Sequence, residues 1–322
     1  MAMYIAAKYI NGEYYYYLVK SERIGGRVYQ SVIEYLGKAD GAIKYAKAHK
    51  LKMPKTQPGK ERADKMLDKK IEEKKARFNA IWPAVSPVLQ KKIEENETIL
   101  WTYNSTRIEG SSLTLPETSE LIKHDISASG KPLKDHAAVK NHKIAIDLVR
   151  KLAEKKGALR EDEMLDIHRA VLHNEIGTHV GRYREVPVYI TNSLFVPPPP
   201  EQVPGMMRDL IKLVNKNTDK LDPVALAAMV HHIFVTIHPF EDGNGRAGRL
   251  LSNLILMRNG YPPIIIENRE RKRYFRMLDE IRKTHEYGKI IFFFKKKMDM
   301  ALTFYLKYSD PKFEEWRKKK SL

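Results

Sequence analysis

His238-Pro239-Phe240-Glu241-Asp242-Gly243-Asn244-Gly245-Arg246-Ala247-Gly248-Arg249 is the stretch on which the reading of this chain turns. An apolar segment, Pro223 to Ile237, precedes it, opened by Asp222 as an N-cap and by Pro223 at the first helical position. A second apolar segment, Leu250 to Met257, follows and is closed by Gly260 and the Pro262-Pro263 pair. The pattern predicts helix, tight glycine turn, helix.

That arrangement has a chemical use. A helix starting near Asn244–Arg246 aims unpaired N–H groups and the positive end of its dipole into the turn, making an anion pocket. Gly243 and Gly245 let the backbone approach a phosphate with no Cβ in the way. Arg246 and Arg249 are three residues apart, so they share a helix face and are able to clamp phosphate oxygens. Asp242 is a hard oxygen ligand suited to Mg²⁺ bridging those phosphates. His238, ending the preceding helix, is placed to take a proton from an attacking hydroxyl. These parts describe transfer from a nucleotide phosphate to a hydroxyl, although each residue taken singly also has an ordinary capping or packing explanation.

The string matches H-x-F-x-[D/E]-G-N-G-R-x-x-R at every position, and through it the chain resembles the Fic family. The resemblance extends over roughly Gln90 to Leu306. Gly181-Arg182-Tyr183-Arg184 resembles the lead into the family's β-hairpin flap, and Val188–Ser193 the flap itself. The fold implied is mainly α, a helical bundle with a β-hairpin flap. The activity implied is transfer of AMP from ATP, with Mg²⁺, to a Ser, Thr or Tyr hydroxyl of a target protein. On this resemblance His238 is the base, Asp242 carries the metal, and Phe240 is a buried wedge. Asn244, Arg246, Arg249 and the backbone of Gly243, Gly245, Ala247 and Gly248 hold the phosphates. Ile190, Thr191, Asn192 and Ser193 line up the target segment. Tyr274 matches the family's adenine-contacting Tyr, whereas Ile281-Arg282-Lys283-Thr284 stands where an Asn is expected. Asn104-Ser105-Thr106-Arg107-Ile108-Glu109-Gly110 resembles the family's inhibitory helix, in which Ser105 and Glu109 point the same way and Glu109 pairs with Arg249. A bifunctional or predominantly AMP-removing enzyme, or a nucleotide-sensing binding module with a basic nucleic-acid-binding N-terminal domain, is the alternative reading.

Composition bounds the remainder. The 322 residues are 43% hydrophobic and include no cysteine, which excludes disulfides and thiolate zinc sites and fits a cytoplasmic protein. No run reaches the apolar length of a membrane span. The net charge of +18 is uneven: residues 1–80 hold 18 Lys and Arg against 9 Asp and Glu, residues 81–268 hold 23 of each, and residues 269–322 hold 17 against 8. The basic ends suit nucleic acid or an acidic partner, or are solvated lysine-rich surface. A homodimer is compatible with the sequence.

In chain order, residues 1–50 read as a small basic unit, with runs Tyr4–Ile10, Tyr14–Val19 and Val28–Leu36 forming a three-strand antiparallel meander before a short helix. Residues 51–86 read as a Pro- and Lys-containing linker and a charged helix. Residues 87–306 form the Fic domain, with the inhibitory helix over 89–110, and residues 307–322 a basic tail. Tyr14 to Tyr17 place aromatics on both faces of a strand, for base stacking or for packing. His231, His232 and His238 lack a converging third ligand for zinc. Arg182 and Arg184 are candidates for phosphate or target contact, or for pairing with Glu185 or Glu175.

Overall fold

The computed structural model describes residues 2–10, 13–24, 27–54, 61–155, 157–173, 179–190 and 193–309. Three antiparallel strands, β1 (Ala2–Ile10), β2 (Glu13–Ile24) and β3 (Arg27–Gly37), are followed by α1 (Ala39–His49). The helical body comprises α2 (Glu61–Ile81), α3 (Pro87–Ile108), α4 (Leu115–His124), α5 (Leu133–Glu154), α6 (Glu161–Val171), α7 (Val203–Asn217), α8 (Pro223–Ile237), α9 (Asn244–Arg258), α10 (Arg271–Thr284) and α11 (Gly288–Tyr308). Among the described residues no helix is long and apolar enough to cross a membrane.

Helix α8 is the centre of the core. Asp222 caps it, its carboxylate accepting from the Ala225 N–H at 2.7 Å. From Val224 to Val230 every side chain is buried, as expected of a helix apolar on all sides. Helix α9 lies against it with almost no space between: a Cβ on Gly248 would come 2.9 Å from Val235 Cγ1. Helices α5 and α6 cover α9, α11 crosses α8, and α2 packs along α11.

One sequence expectation changes here, and of the two readings of the tyrosine run it is packing that is observed. Helix α2 is more than a charged connection, because Leu67, Ile71 and Phe78 form a stripe buried in the main core and Asp68 pairs with the buried Lys295 of α11. The β unit is likewise packed on both faces. Tyr14 and Tyr16 lie in a small core with Ile5, Ala42 and Ala46 of β1 and α1. Tyr15, Tyr17, Val32 and Tyr35 face the main helical core, and the Tyr17 hydroxyl reaches the Met229 sulfur of α8 at 3.8 Å. Alternation therefore divides this aromatic run between two cores. At the other end, α11 runs to Tyr308, past the expected boundary at 306; most of the expected tail lies outside the described residues.

Candidate active site

A cavity of about 480 Å³ opens where the end of α3, the start of α5, the α8–α9 turn, α10 and the segment before Ser193 converge. Its wall includes Glu109, Ile190, Ser193, His238, Asp242 to Arg246, Arg249 and Tyr274. Ala247 and Gly248 are absent from it. They face the core and α8, because a helix turn that points residues 245, 246 and 249 at the cavity turns 247 and 248 away. Thr191 and Asn192 lie outside the described residues, and the described parts of the expected flap, 188–190 and 193, are not in a strand.

His238 is the C-cap of α8, in the left-handed region at φ 53°. A side chain there costs about 1 kcal/mol or more, and the strain is held by Arg184. This 2%-exposed guanidinium donates to the His238 carbonyl at 2.8 Å and to the Pro198 carbonyl at 2.5 Å, while the Arg184 N–H donates to the Pro239 carbonyl at 2.9 Å. Arg184 thus satisfies carbonyls at a helix C-terminus and is turned away from phosphate or target. The His238 Nδ1 lies 3.3 Å from the Val235 carbonyl, so Nδ1 carries the proton and Nε2 is open as an acceptor. Burial pushes this ring down to about 4, helped by Arg282 and Arg184 and opposed by the Val235 carbonyl and Glu109. The imidazole is neutral at pH 7.

The turn after His238 is tied together by side chains. Asn244 accepts from the Phe240 N–H at 2.9 Å and donates to the Phe240 carbonyl at 2.8 Å. These two bonds close the loop, and Asn244 also borders the cavity. Phe240 is fully buried and stacks on His168 of α6 at 3.6 Å between ring centroids and 3° between planes. His168 Nδ1 accepts from the Gly181 N–H at 3.0 Å, and its Nε2–H donates to the Asp242 carbonyl at 3.0 Å. Burial holds this ring down to about 4, which fixes the neutral tautomer that both bonds require. Sequence reasoning missed this role of His168, since the residue lies 74 positions from its partner and has no local signature.

Glu109 ends α3, with Gly110 beyond it at φ 106°. Arg249 NH2 donates to Glu109 Oε1 at 2.7 Å and to the Ser105 carbonyl at 2.9 Å, and Arg249 Nε donates to Ser105 Oγ at 3.0 Å. Burial works against the Arg249 charge, but Glu109 and the Tyr274 hydroxyl together more than offset it and raise the guanidinium above its usual range. A Cβ on Gly245 would overlap the Glu109 carboxylate, so only glycine lets that carboxylate settle at the N-terminus of α9. Glu109 therefore lies as an internal anion where helix and arginine would receive a phosphate. Arg246, 7% exposed, lies 3.5 Å from Asp242 Oδ2.

Tyr274 is 1% exposed, and its hydroxyl meets His231 Nε2 at 2.5 Å and Arg249 on the other side. Burial lifts the phenol to about 12. It stands behind the arginine, with no face open for stacking on a base; Phe275 and Leu278 offer the apolar wall instead. Arg282, where Asn was expected, is bound to Asp279 at 2.7 Å, and Asp279 Oδ1 also accepts from Ser193 Oγ at 2.7 Å. Among the described residues no group of three or more His, Asp or Glu side chains gathers as a metal site. The 63%-exposed Asp242 carboxylate fits the use of Mg²⁺ with a single protein ligand and phosphates supplying the others.

Glycine turn, helix N-terminus, base and paired arginine are thus gathered in one cavity, and residues 158–256 match the Fic/DOC family. The chain contains a Fic domain. It is 36% identical to Protein adenylyltransferase Fic of Nematostella vectensis over 217 residues, 67% of this chain and 50% of that protein. It is 32% identical to the Drosophila virilis protein of the same name over 209 residues, 65% of this chain and 42% of that one. The chain therefore spans about half or less of the length of these curated relatives. A Fic-domain-containing signaling protein from Bacteroides thetaiotaomicron superposes with a TM-score of 0.68 at 27% identity, over 74% of this chain and 96% of that one. Residues 134–508 of Fic-1 from C. elegans superpose with a TM-score of 0.69 at 27% identity, over 84% and 77%. The fold is the Fic fold, preceded here by the small antiparallel sheet.

Proposed function

We propose that this chain is a protein adenylyltransferase that moves AMP from ATP to a hydroxyl side chain of a target protein and is held back by its own Glu109. The observation that carries the reading is the occupied anion site: a carboxylate seated on Arg249 at 2.7 Å, at the N-terminus of α9 and in the same cavity as His238. A carboxylate is a fair mimic of a phosphate edge, so the pocket that accepts one is suited to the other.

In this reading the β- and γ-phosphates take the amides of α9, Arg246 and, once Glu109 leaves, Arg249. The α-phosphate then faces His238, whose open Nε2 takes the proton of the incoming hydroxyl as its oxygen attacks phosphorus and pyrophosphate departs. Mg²⁺ on Asp242 would supply neutralisation of phosphate charge. With Glu109 in place, Arg249 is not available and the nucleotide is left misaligned. The same 36%-exposed Glu109 carboxylate could instead align a water, which favours AMP removal as the second reading.

The test is incubation with labelled ATP and a cell lysate, as wild type and as Glu109→Gly. Strong protein labelling by the variant is expected. Release of AMP from a labelled target by the wild type, with no labelling by Glu109→Gly, would turn the assignment towards removal.

A further inference from the structure

Helix α10 divides its surface into three arcs. Tyr274, Met277, Leu278 and Ile281 are buried. Arg271, Phe275, Asp279 and Arg282 border the cavity. Lys272, Arg276 and Lys283 are exposed. At 3.6 residues per turn these three fall within about 40° of one another, on the arc beside the one that carries Phe275 and Asp279. The remaining charges of the helix are engaged. Arg271 donates to the Ile108 carbonyl at 2.7 Å, Arg282 pairs with Asp279 at 2.7 Å, Glu280 pairs with Lys289, and the Arg273 guanidinium lies 5.7 Å from the Phe293 ring. Among the described residues no hydrogen bond or ion pair engages Lys272, Arg276 or Lys283.

We propose that this stripe of three cations is a docking surface for an acidic segment of the protein substrate, set beside the cavity that receives the substrate's hydroxyl. The proposal rests on the transfer activity proposed above and names the chemistry of its target: two or three Asp or Glu side chains close to the modified residue.

Position, charge and extent support it. Lys272 and Arg276 are each three residues from a cavity residue, Phe275 and Asp279, a rise of about 4.5 Å along the helix. Ser193, expected to align the target, donates to Asp279 at 2.7 Å, so alignment and docking meet on one helix. Residues 81–268 are neutral overall, with 23 Lys and Arg against 23 Asp and Glu, so a cationic edge on α10 stands out beside them. Complementary charge at such an edge speeds encounter and fixes register. The extent favours a polypeptide over nucleic acid. Three cations match a few carboxylates, whereas a footprint of about 6–10 phosphates would run on to the carboxylates of Asp279 and Glu280. Leu194, next to Ser193 and 99% exposed, adds apolar contact of the kind a polypeptide offers.

The test is fluorescence anisotropy with the full chain and three labelled probes: a peptide with one Tyr between four Glu, its Gln counterpart, and a single-stranded oligonucleotide of equal charge. The Glu peptide is expected to bind, and to weaken as salt rises. It should bind roughly tenfold more weakly to Lys272→Glu/Arg276→Glu. Lys44→Glu/Lys47→Glu, the same charge change on exposed positions of α1, should bind it as the wild type does. Nucleotide affinity, followed by calorimetry, should be unchanged in both variants. Equal binding of the Glu and Gln peptides, or an equal loss in the α1 variant, overturns the proposal. Oligonucleotide binding that is tighter than peptide binding and lost in the α10 variant assigns the stripe to nucleic acid and also overturns it. Transfer is read separately, with labelled ATP and the Glu109→Gly chain. There the two α10 changes should raise KM for the Glu peptide and leave kcat little changed. Equal kcat/KM for the Glu and Gln peptides overturns the stripe's part in target choice. A Glu109→Gly chain that binds the Glu peptide yet labels no protein overturns the transferase reading and leaves the acidic docking surface standing.

Discussion

Glu109 has no other ion-pair partner among the described residues, and Arg249 bonds it while also holding Ser105. Removing one partner of a buried pair usually costs several kcal/mol, but here a γ-phosphate is able to replace the carboxylate. Glu109→Gly is therefore expected to raise AMP transfer sharply, and Arg249→Ala to lower it, since the second change also removes the phosphate clamp. Equal labelling by wild type and Glu109→Gly, with every target tried, would rule out the lock. The two histidines on either side of the turn should separate differently. His238→Ala removes only the proton acceptor, so transfer should fall by roughly 10²–10⁴-fold with nucleotide affinity, followed by calorimetry, little changed. His168→Ala removes two hydrogen bonds and the ring under Phe240. It should weaken nucleotide binding and lower the melting temperature together, with a stability loss of about 2–4 kcal/mol. Unchanged nucleotide affinity in His168→Ala would show that the turn holds its shape without this ring.

At the scale of elements, the N-terminal sheet is bound to α8 through Tyr17, whose ring is fully buried and whose hydroxyl contacts Met229. An independent basic module would not be joined in this way. Deleting residues 1–50 should uncover apolar surface on α7, α8 and α11 and lower the melting temperature. Tyr17→Ala alone should cost about 3–5 kcal/mol, the range for truncating a large buried aromatic. A deletion variant that melts where the full chain does would show the sheet to be dispensable to the core. Helix α2 follows the same logic, contributing Leu67, Ile71 and Phe78 to the main core from an otherwise charged sequence.

At the scale of the whole molecule, five histidines are held neutral by burial: His142 and His232 well below the usual histidine range, His231 down to about 3, and His168 and His238 down to about 4. Unfolded, each takes a proton near pH 6.5, whereas the native ring waits until pH is far lower. Between those values the unfolded chain binds more protons, so stability is present above pH 6.5 and is lost as pH falls. His168, His231 and His238 each account for about 2 kcal/mol of that loss by pH 5. Glu97 opposes it, because burial raises its carboxyl to about 7 and its native form takes up a proton first. Five rings outweigh one carboxyl, so the melting temperature should drop from pH 7 to pH 5. A flat profile across that window would mean that the rings find proton acceptors on acidification.

By itself, the sequence determined what short-range rules can carry. The caps at Asp222 and Pro223, the glycine turn with Gly243 at φ 76°, and the apolar runs of α8 and α9 are local devices whose partners lie within a few residues. The twelve-residue string carried the Fic assignment because its residues act as one turn. Only the tertiary structure decided which of those side chains face the cavity. Asn244 closes on Phe240, Ala247 and Gly248 turn inward, Tyr274 stands behind Arg249, and Arg184 caps α8. The places of Tyr274, Arg184 and His168 are set by long-range neighbours, and His168 and Asp242 are 74 residues apart. The packing of α2 into the main core was hidden for the same reason. Periodicity shows that a face is apolar, but the element that covers it is set by how the whole chain closes around α8.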